Sequence, residues 1–262
     1  MSTIKGVIFD YGGTIDTNGI HWGEVIAQQY RLAGIDIERE LYRKAYVHGE
    51  RSLAKAPIIA PEDTFRTLLK KKIAIQFEYL REQTQSAQFT PEAAMLVADG
   101  CYKKVTDTIA TSRAVLDRLA AQYPMVLVTN FYGNMPVVLD EFGLAGYFKE
   151  IVESSVVGIR KPDPALFALG VKALQLPANE IVVIGDSYRK DIYPSSTLGS
   201  KTIWLKNICW EEEPIADEHA PTAIIGNSHH WQHRTGTGNH CRHRQPRTIT
   251  QPAMFYNETD YC

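Results

Sequence analysis

Four short runs of the chain are apolar at almost every position: Val7-Ile8-Phe9, Met125-Val126-Leu127-Val128, Ile181-Val182-Val183-Ile184 and Thr202-Ile203-Trp204-Leu205. A strand with one wet face alternates apolar and polar residues, so unbroken runs of this length predict strands covered on both faces. Between them lie segments with helical spacing. Arg113 to Ala121 places Val115, Leu116 and Leu119 on one face, and Pro164 to Leu174 does the same with Leu166, Phe167, Gly170 and Leu174. Strand and helix in turn imply a parallel sheet joined by crossover helices.

One long interval departs from that rhythm. From about Asn18 to Thr111 there is no strand pattern, only helical ones: Trp22, Val25, Ile26 and Tyr30 ending near Gly34; Leu41 and Ala45; Phe65, Leu68, Leu69, Ile73 and Leu80, opened by Pro61-Glu62-Asp63; and a last helix opened by Thr90-Pro91-Glu92. Proline near a first turn costs no intrahelical bond, and acidic neighbours meet the positive end of the helix dipole. These patterns predict a small helical domain inserted after the first strand. The division is 1–17 and 106–227 for an α/β core, 18–105 for the helical insert, and 228–262 for a tail.

Pro221-Thr222-Ala223-Ile224-Ile225 reads as a last short strand. Beyond it no helical or strand period holds, and the composition predicts a disordered tail. His229, His230, His233, His240 and His243 match no standard metal spacing. Lys and Arg number 28 against 30 Asp and Glu, a formal charge of -2, which speaks against a general nucleic-acid binder. No run approaches the ~18 apolar residues of a membrane span and no basic-then-apolar leader opens the chain, so a soluble, cytoplasmic protein is expected. Cys101, Cys209, Cys241 and Cys262 are scattered without metal or disulfide spacing, as in a reducing compartment.

At the ends of the expected strands stand, in order, Asp10, Thr129 with Asn130, Lys161, and Asp186 with Asp191. Open α/β sheets bind their ligands at the carboxyl ends of parallel strands, so these distant residues can converge. Asp10-Tyr11-Gly12-Gly13-Thr14-Ile15-Asp16, Leu127-Val128-Thr129-Asn130, Gly158-Ile159-Arg160-Lys161-Pro162-Asp163-Pro164 and Ile184-Gly185-Asp186-Ser187 with Asp191 resemble, in order and spacing, the four motifs of the haloacid dehalogenase superfamily. The resemblance runs from about Ile4 to Ile225 and implies a Rossmann-like core with a helical cap.

By that resemblance Asp10 is the nucleophile that becomes an aspartyl phosphate, Thr129, Asn130 and Lys161 hold the phosphoryl group, and Asp10, Asp186 and the Gly12 carbonyl bind Mg2+. Asp191 and Asp16 support them. The expected activity is a magnesium-dependent phosphatase acting on a small phosphorylated metabolite. Family phosphatases carry a second Asp where this chain has Gly12, so the proton relay to the leaving oxygen is missing; Asp16, His21, Glu24 and His48 are the candidate substitutes. Asp16 and His21 also read as turn and helix-start residues. The dehalogenase branch lacks the second Asp as well, but it has Ser-Ser-Asn where this chain has Gly185-Asp186-Ser187. The phosphonate-cleaving branch needs a cap lysine, for which Lys44 and Lys55 are available. A catalytically weak phosphate-ligand binder is the remaining alternative. Trp22, Tyr42 and Tyr46 are candidates for the substrate pocket or for interhelical core.

Overall fold

In a computed structural model, which describes residues 3–55, 57–207 and 214–226, the expected α/β architecture is present. Strands β1 (Gly6–Phe9), β2 (Met125–Thr129), β3 (Glu150–Glu153), β4 (Ile181–Gly185), β5 (Lys201–Leu205) and β6 (Ala223–Ile225) form one parallel sheet in the order β3-β2-β1-β4-β5-β6. Its central strand is the first in the chain. From β1 the sheet grows outward through β2 to β3, and the chain then returns to the other side for β4, β5 and β6. That reversal makes the ends of β1, β2 and β4 a topological switch point, where such sheets leave a crevice.

Helices α1 (Trp22–Leu32), α2 (Arg39–Lys55), α3 (Phe65–Thr84) and α4 (Pro91–Ala120) all lie between β1 and β2. Thr90 caps α4 as expected, its hydroxyl accepting from the Ala93 N–H. The helix opened there does not stop before Arg113. Cys101, Val105, Thr108, Ile109 and Ser112 keep the buried stripe unbroken, so the two predicted helices are one of 30 residues. The expected division at 105/106 therefore falls inside α4. Pro61-Glu62-Asp63 does not open α3: Pro61 and Glu62 form a turn, and the helix starts at Phe65 with Thr64 as its cap. The hydroxyl of Thr64 accepts from the Thr67 N–H, which satisfies a donor that the first turn leaves open.

Helices α5 (Met135–Glu141), α6 (Ser154–Val157), α7 (Pro164–Leu174) and α8 (Tyr193–Thr197) complete the core. Buried Leu166, Phe167 and Leu174 of α7 pack with Ile8, Val126 and Val128 on one face of the sheet. On the opposite face Val7, Phe9, Met125 and Leu127 join the apolar residues of α1, α2, α3 and α4 in a single cluster. Strands β1 and β2 are buried at every position, as their composition predicts. Strands β4 and β5 are not: Val182, Ile184, Ile203 and Leu205 are only half-buried. Ile184, Ile203 and Leu205, with Leu116 of α4 and Ile225 of β6, line an apolar cavity of about 120 Å³.

Among the described residues no helix is long and apolar enough to cross a membrane. The tail at 228–262, its five histidines, and Cys209, Cys241 and Cys262 lie outside the described residues.

Candidate active site

The turn after β1 brings Asp10 to the centre of the crevice. The chain there is tightly wound: Gly13 has φ +94°, a conformation that costs glycine nothing. A Cβ at Gly13 would lie 2.2 Å from Asp186 Oδ2, so only glycine lets the turn approach that carboxylate. Asp16 closes the turn from within. Its Oδ1 accepts from the Gly13 N–H at 2.7 Å and its Oδ2 from the Trp22 indole at 2.9 Å. Asp16 thus spends both oxygens on local structure. Burial pushes its carboxyl up to about 7 against the two hydrogen bonds.

Asp10, Asp186 and Asp191 converge, with one oxygen of each lying within 4.8 Å of the others. Lys161 Nζ sits between two of them, 2.6 Å from Asp10 Oδ1 and 2.7 Å from Asp191 Oδ1. The hydroxyl of Thr14 donates to Asp10 Oδ2 at 3.1 Å. Asp191 is fixed further by the Ser187 N–H at 3.1 Å, and the Trp204 indole donates to the Asp186 carbonyl at 2.7 Å. Two of the three carboxylates, Asp10 and Asp191, thus contact the Lys161 ammonium directly, and Asp186 stands beside them. Burial raises Asp10 to about 6, with Lys161 opposing and Asp191 adding to the rise. Asp186 is pushed well above the ordinary carboxylate range, first by burial and then by Asp191 and Asp10. Burial away from water is the main cause of both rises and carboxylate repulsion adds to them; an all-oxygen donor set of this kind fits a hard divalent cation.

The Thr129 side chain at the end of β2 is buried, and its Oγ1 has no hydrogen-bond partner. Buried hydroxyls rarely remain unpaired without reason, and this one lines the cavity beside Asp10. Asn130 has a different arrangement from a ligand. Its Oδ1 accepts from the Lys161 N–H at 2.9 Å and its Nδ2 donates to the Lys161 carbonyl at 3.2 Å, so the side chain fixes the lysine's backbone. Glu153 at the end of β3 shapes the loop after β2 by accepting from the backbone N–H groups of Gly133 and Met135.

Asp10, Thr129, Asn130, Lys161, Asp186 and Asp191 line one cavity of about 150 Å³ between the sheet edge and α1, α2 and α3. Gly12 lines it, as do Trp22, Tyr46 and His21. His21 Nδ1 accepts from the Gly23 N–H at 2.9 Å, and burial holds the imidazole well below its usual range. It is therefore a neutral helix cap rather than a proton donor. The other expected substitutes are elsewhere. Glu24 pairs with Arg39 at 3.7 Å, and His48 stacks on Tyr79 in a groove that it shares with Lys44. Lys55 lines a neighbouring cavity. Tyr42 is interhelical core, its hydroxyl donating to the Gly23 carbonyl. Glu50, Lys72 and Tyr132 belong to the site region and carry no sequence signal of their own, because they reach it from helix faces and a loop; Thr14, which lies inside the first motif, was not singled out.

The switch point of this parallel sheet thus gathers three aspartates, which could hold a metal ion, and a lysine. The sequence profile described as haloacid dehalogenase-like hydrolase matches residues 4–193, and the chain belongs to that family. A glyceraldehyde 3-phosphate phosphatase of Pyrococcus abyssi is 35% identical over 60 residues, 23% of this chain and 25% of the relative. A phosphoglycolate phosphatase of Vibrio cholerae is 24% identical over 218 residues, 83% of this chain and 91% of the relative. The chain thus spans about a quarter of the length of the first of these curated relatives. Among solved structures, the HAD-hydrolase YfnB of Bacillus subtilis bound to magnesium has a TM-score of 0.52 at 20% identity, covering 86% of this chain and 95% of YfnB. A dehalogenase has a TM-score of 0.56 at 12% identity, covering 86% and 93%. Both share the fold.

Proposed function

We propose that the protein is a magnesium-dependent phosphatase-type hydrolase of the cytoplasm that acts on a small phosphorylated metabolite, with residues 18–105 serving as a cap over the core. The observation that carries this reading is the cluster of Asp10, Asp186 and Asp191 around Lys161, facing the same cavity as the unpaired Thr129 hydroxyl. Asp10, Asp186 and the Gly12 carbonyl would hold the ion, which when bound offsets the charge between an anionic nucleophile and a phosphate dianion. Asp191 orients Lys161 and completes the acidic set.

Asp10 attacks phosphorus, the bond from phosphorus to the ester oxygen breaks, and an aspartyl phosphate forms while the alcohol leaves with a proton taken up from its surroundings. Water then attacks the phosphorus, the bond to Asp10 breaks, and the carboxylate is restored with release of inorganic phosphate. Lys161 and Thr129 hold the phosphoryl oxygens through both displacements, and Asn130 keeps Lys161 in place. The relatives named as glyceraldehyde 3-phosphate, phosphoglycolate and phosphoserine phosphatases support a small phosphate ester.

A phosphonatase-like imine is disfavoured. Of the lysines in the helical insert, Lys72 lines the cavity, and its pairing with Glu50 raises its pKa, so it stands as an ammonium rather than a nucleophilic amine. Phosphate release from a panel of esters with Mg2+, and its loss with EDTA and in Asp10→Asn, is the expected result. Metal-independent halide release from 2-haloacids, or an Asp10→Asn protein that keeps its rate, would overturn the reading.

A further inference from the structure

The catalytic cavity is small. Its volume of about 150 Å³ lies below the ~300–1,000 Å³ of most small-molecule pockets, so an alcohol of more than a few atoms must extend beyond it. Phe131, Tyr132 and Arg160 line this cavity and also a second one of about 440 Å³, which Leu53, Pro57 and Ile59 bound with them. The two cavities therefore meet at those three residues. A group that leaves the first cavity there passes two aromatic rings and a guanidinium.

Most polar side chains of the second cavity are already engaged within the protein. Tyr132 donates its phenol to Glu50 Oε2 at 3.0 Å, Ser154 Oγ accepts from the Phe131 N–H at 3.1 Å, and Ser155 Oγ donates to Glu153 Oε1 at 3.4 Å. The two that remain are both cations. Neither Lys55 nor Arg160 has an ion-pair or hydrogen-bond partner for its side chain among the described residues, and no acid among those residues lines this cavity. The catalytic cavity differs in this respect: Lys161 lies 2.6 Å from Asp10 Oδ1, Lys72 lies 2.7 Å from Glu50 Oε1, and the charge of Lys190 acts on Asp186 and Glu50. A lone exposed cation is satisfied by water. Here two converge on one cavity with apolar walls that opens from the catalytic one, and a guanidinium presents its N–H groups in a planar fork that matches the oxygens of a carboxylate or a phosphate.

We propose that this second cavity is an anion subsite: resting on the phosphatase reading given above, Arg160, assisted by Lys55, binds a carboxylate or a second phosphate at the far end of the leaving alcohol. Phe131 and Tyr132 line the passage that the carbons between the two anionic groups occupy. The substrate class is thus a phosphate monoester that carries a second anionic group. Arg160 selects the substrate and takes no part in the displacement at phosphorus.

Three esters built on one three-carbon chain decide it: propyl phosphate, which ends in a methyl group, 3-phosphooxypropanoate, which ends in a carboxylate, and propane-1,3-diol bisphosphate, which ends in a second phosphate. In the wild-type protein with Mg2+ at low salt, kcat/KM for at least one of the two charged-end esters is expected to be at least about tenfold above that for propyl phosphate, the lower end of what a hydrogen bond to a charged group contributes. Whichever of them leads identifies the anion. The advantage should lie in KM and shrink as salt is added, because Arg160 and Lys55 are exposed. In Arg160→Gln the ratio of that ester to propyl phosphate should fall towards one, and in Lys55→Gln it should fall by a smaller factor. Equal rates for all three esters in the wild type, a preference for propyl phosphate, or an Arg160→Gln protein that keeps the ratio or loses all three esters in proportion would overturn the proposal. If no ester is hydrolysed, the phosphatase reading fails by itself. Calorimetric binding to Asp10→Asn, which needs no turnover and leaves both cations in place, then decides: at least about tenfold tighter binding of a charged-end ester than of propyl phosphate supports the subsite, and equal binding or none refutes it.

Discussion

On the proposed phosphatase reading, Gly12 stands where a second acid would be expected, and the space around it makes that reading testable. A Cβ there would meet no heavy atom within 4 Å, and the backbone is not in the left-handed region. The position is thus permissive, whereas Gly13 beside it is not. None of the expected substitutes supplies the missing proton: Asp16 is committed to Gly13 and Trp22, His21 is neutral, and Glu24 and His48 do not line the cavity. A positioned acid contributes ~10²- to 10⁴-fold in rate. Gly12→Asp is therefore expected to raise kcat by at least about 10²-fold on esters with poorly departing alcohols, and much less on an aryl ester whose leaving oxygen needs no proton. Steady-state kinetics on one ester of each kind checks both parts. Gly13→Ala should do the reverse, since its methyl group would displace the Asp186 carboxylate; loss of Mg2+ binding by calorimetry is the expected result.

Asp10, Thr129 and Asp186 were legible in the sequence at the level of elements, because each follows or ends a strand that its apolar run announces. Asp10 follows β1, Thr129 ends β2 and Asp186 follows β4. Strand β3 was not legible: Glu150-Ile151-Val152-Glu153 offers only two apolar residues, as an edge strand can. Lys72, Glu50 and Tyr132 were hidden for another reason. Nothing in the spacing of α2 or α3 says which turn faces the sheet edge; that depends on how the helices pack against one another. The start of α3 was misplaced because proline and acidic residues also make turns, and the Thr64 hydroxyl settles the boundary. Gly170, by contrast, was correctly placed on the inner face of α7. Its missing side chain lets the helix lie against the sheet, since a Cβ would come within 2.6 Å of Val128 Cγ2 and 3.2 Å of Ile8 Cδ1. Gly170→Ala is expected to lift α7 from β1 and β2 and to destabilise the fold by about 1–3 kcal/mol, the usual result of overpacking a filled core. Urea unfolding would measure it, with the midpoint falling and the slope unchanged.

For the whole molecule, the acidic cluster links stability to pH and to metal. A carboxyl group whose folded pKa is raised favours the folded state most when it is protonated in both states. That contribution is complete below its ordinary value of 3.8 and is lost as pH rises through its folded value, about 6 for Asp10. The shift corresponds to about 3 kcal/mol for this one group, and Asp186 moves in the same direction. Without metal, the protein should thus lose stability as pH rises from about 4 to 7 as far as this cluster governs it, opposite to a protein held by carboxylates paired in salt bridges. A divalent cation competes with protons for these oxygens, so its binding should remove the loss where the carboxylates are ionised and do little where they are protonated. Thermal melting at pH 5 and pH 7.5, with EDTA and with millimolar Mg2+, checks this. The rise in Tm on adding Mg2+ is expected to be clearly larger at the higher pH and to vanish in Asp186→Asn. A rise of equal size at both pH values would mean that the ion binds somewhere other than among these three acids.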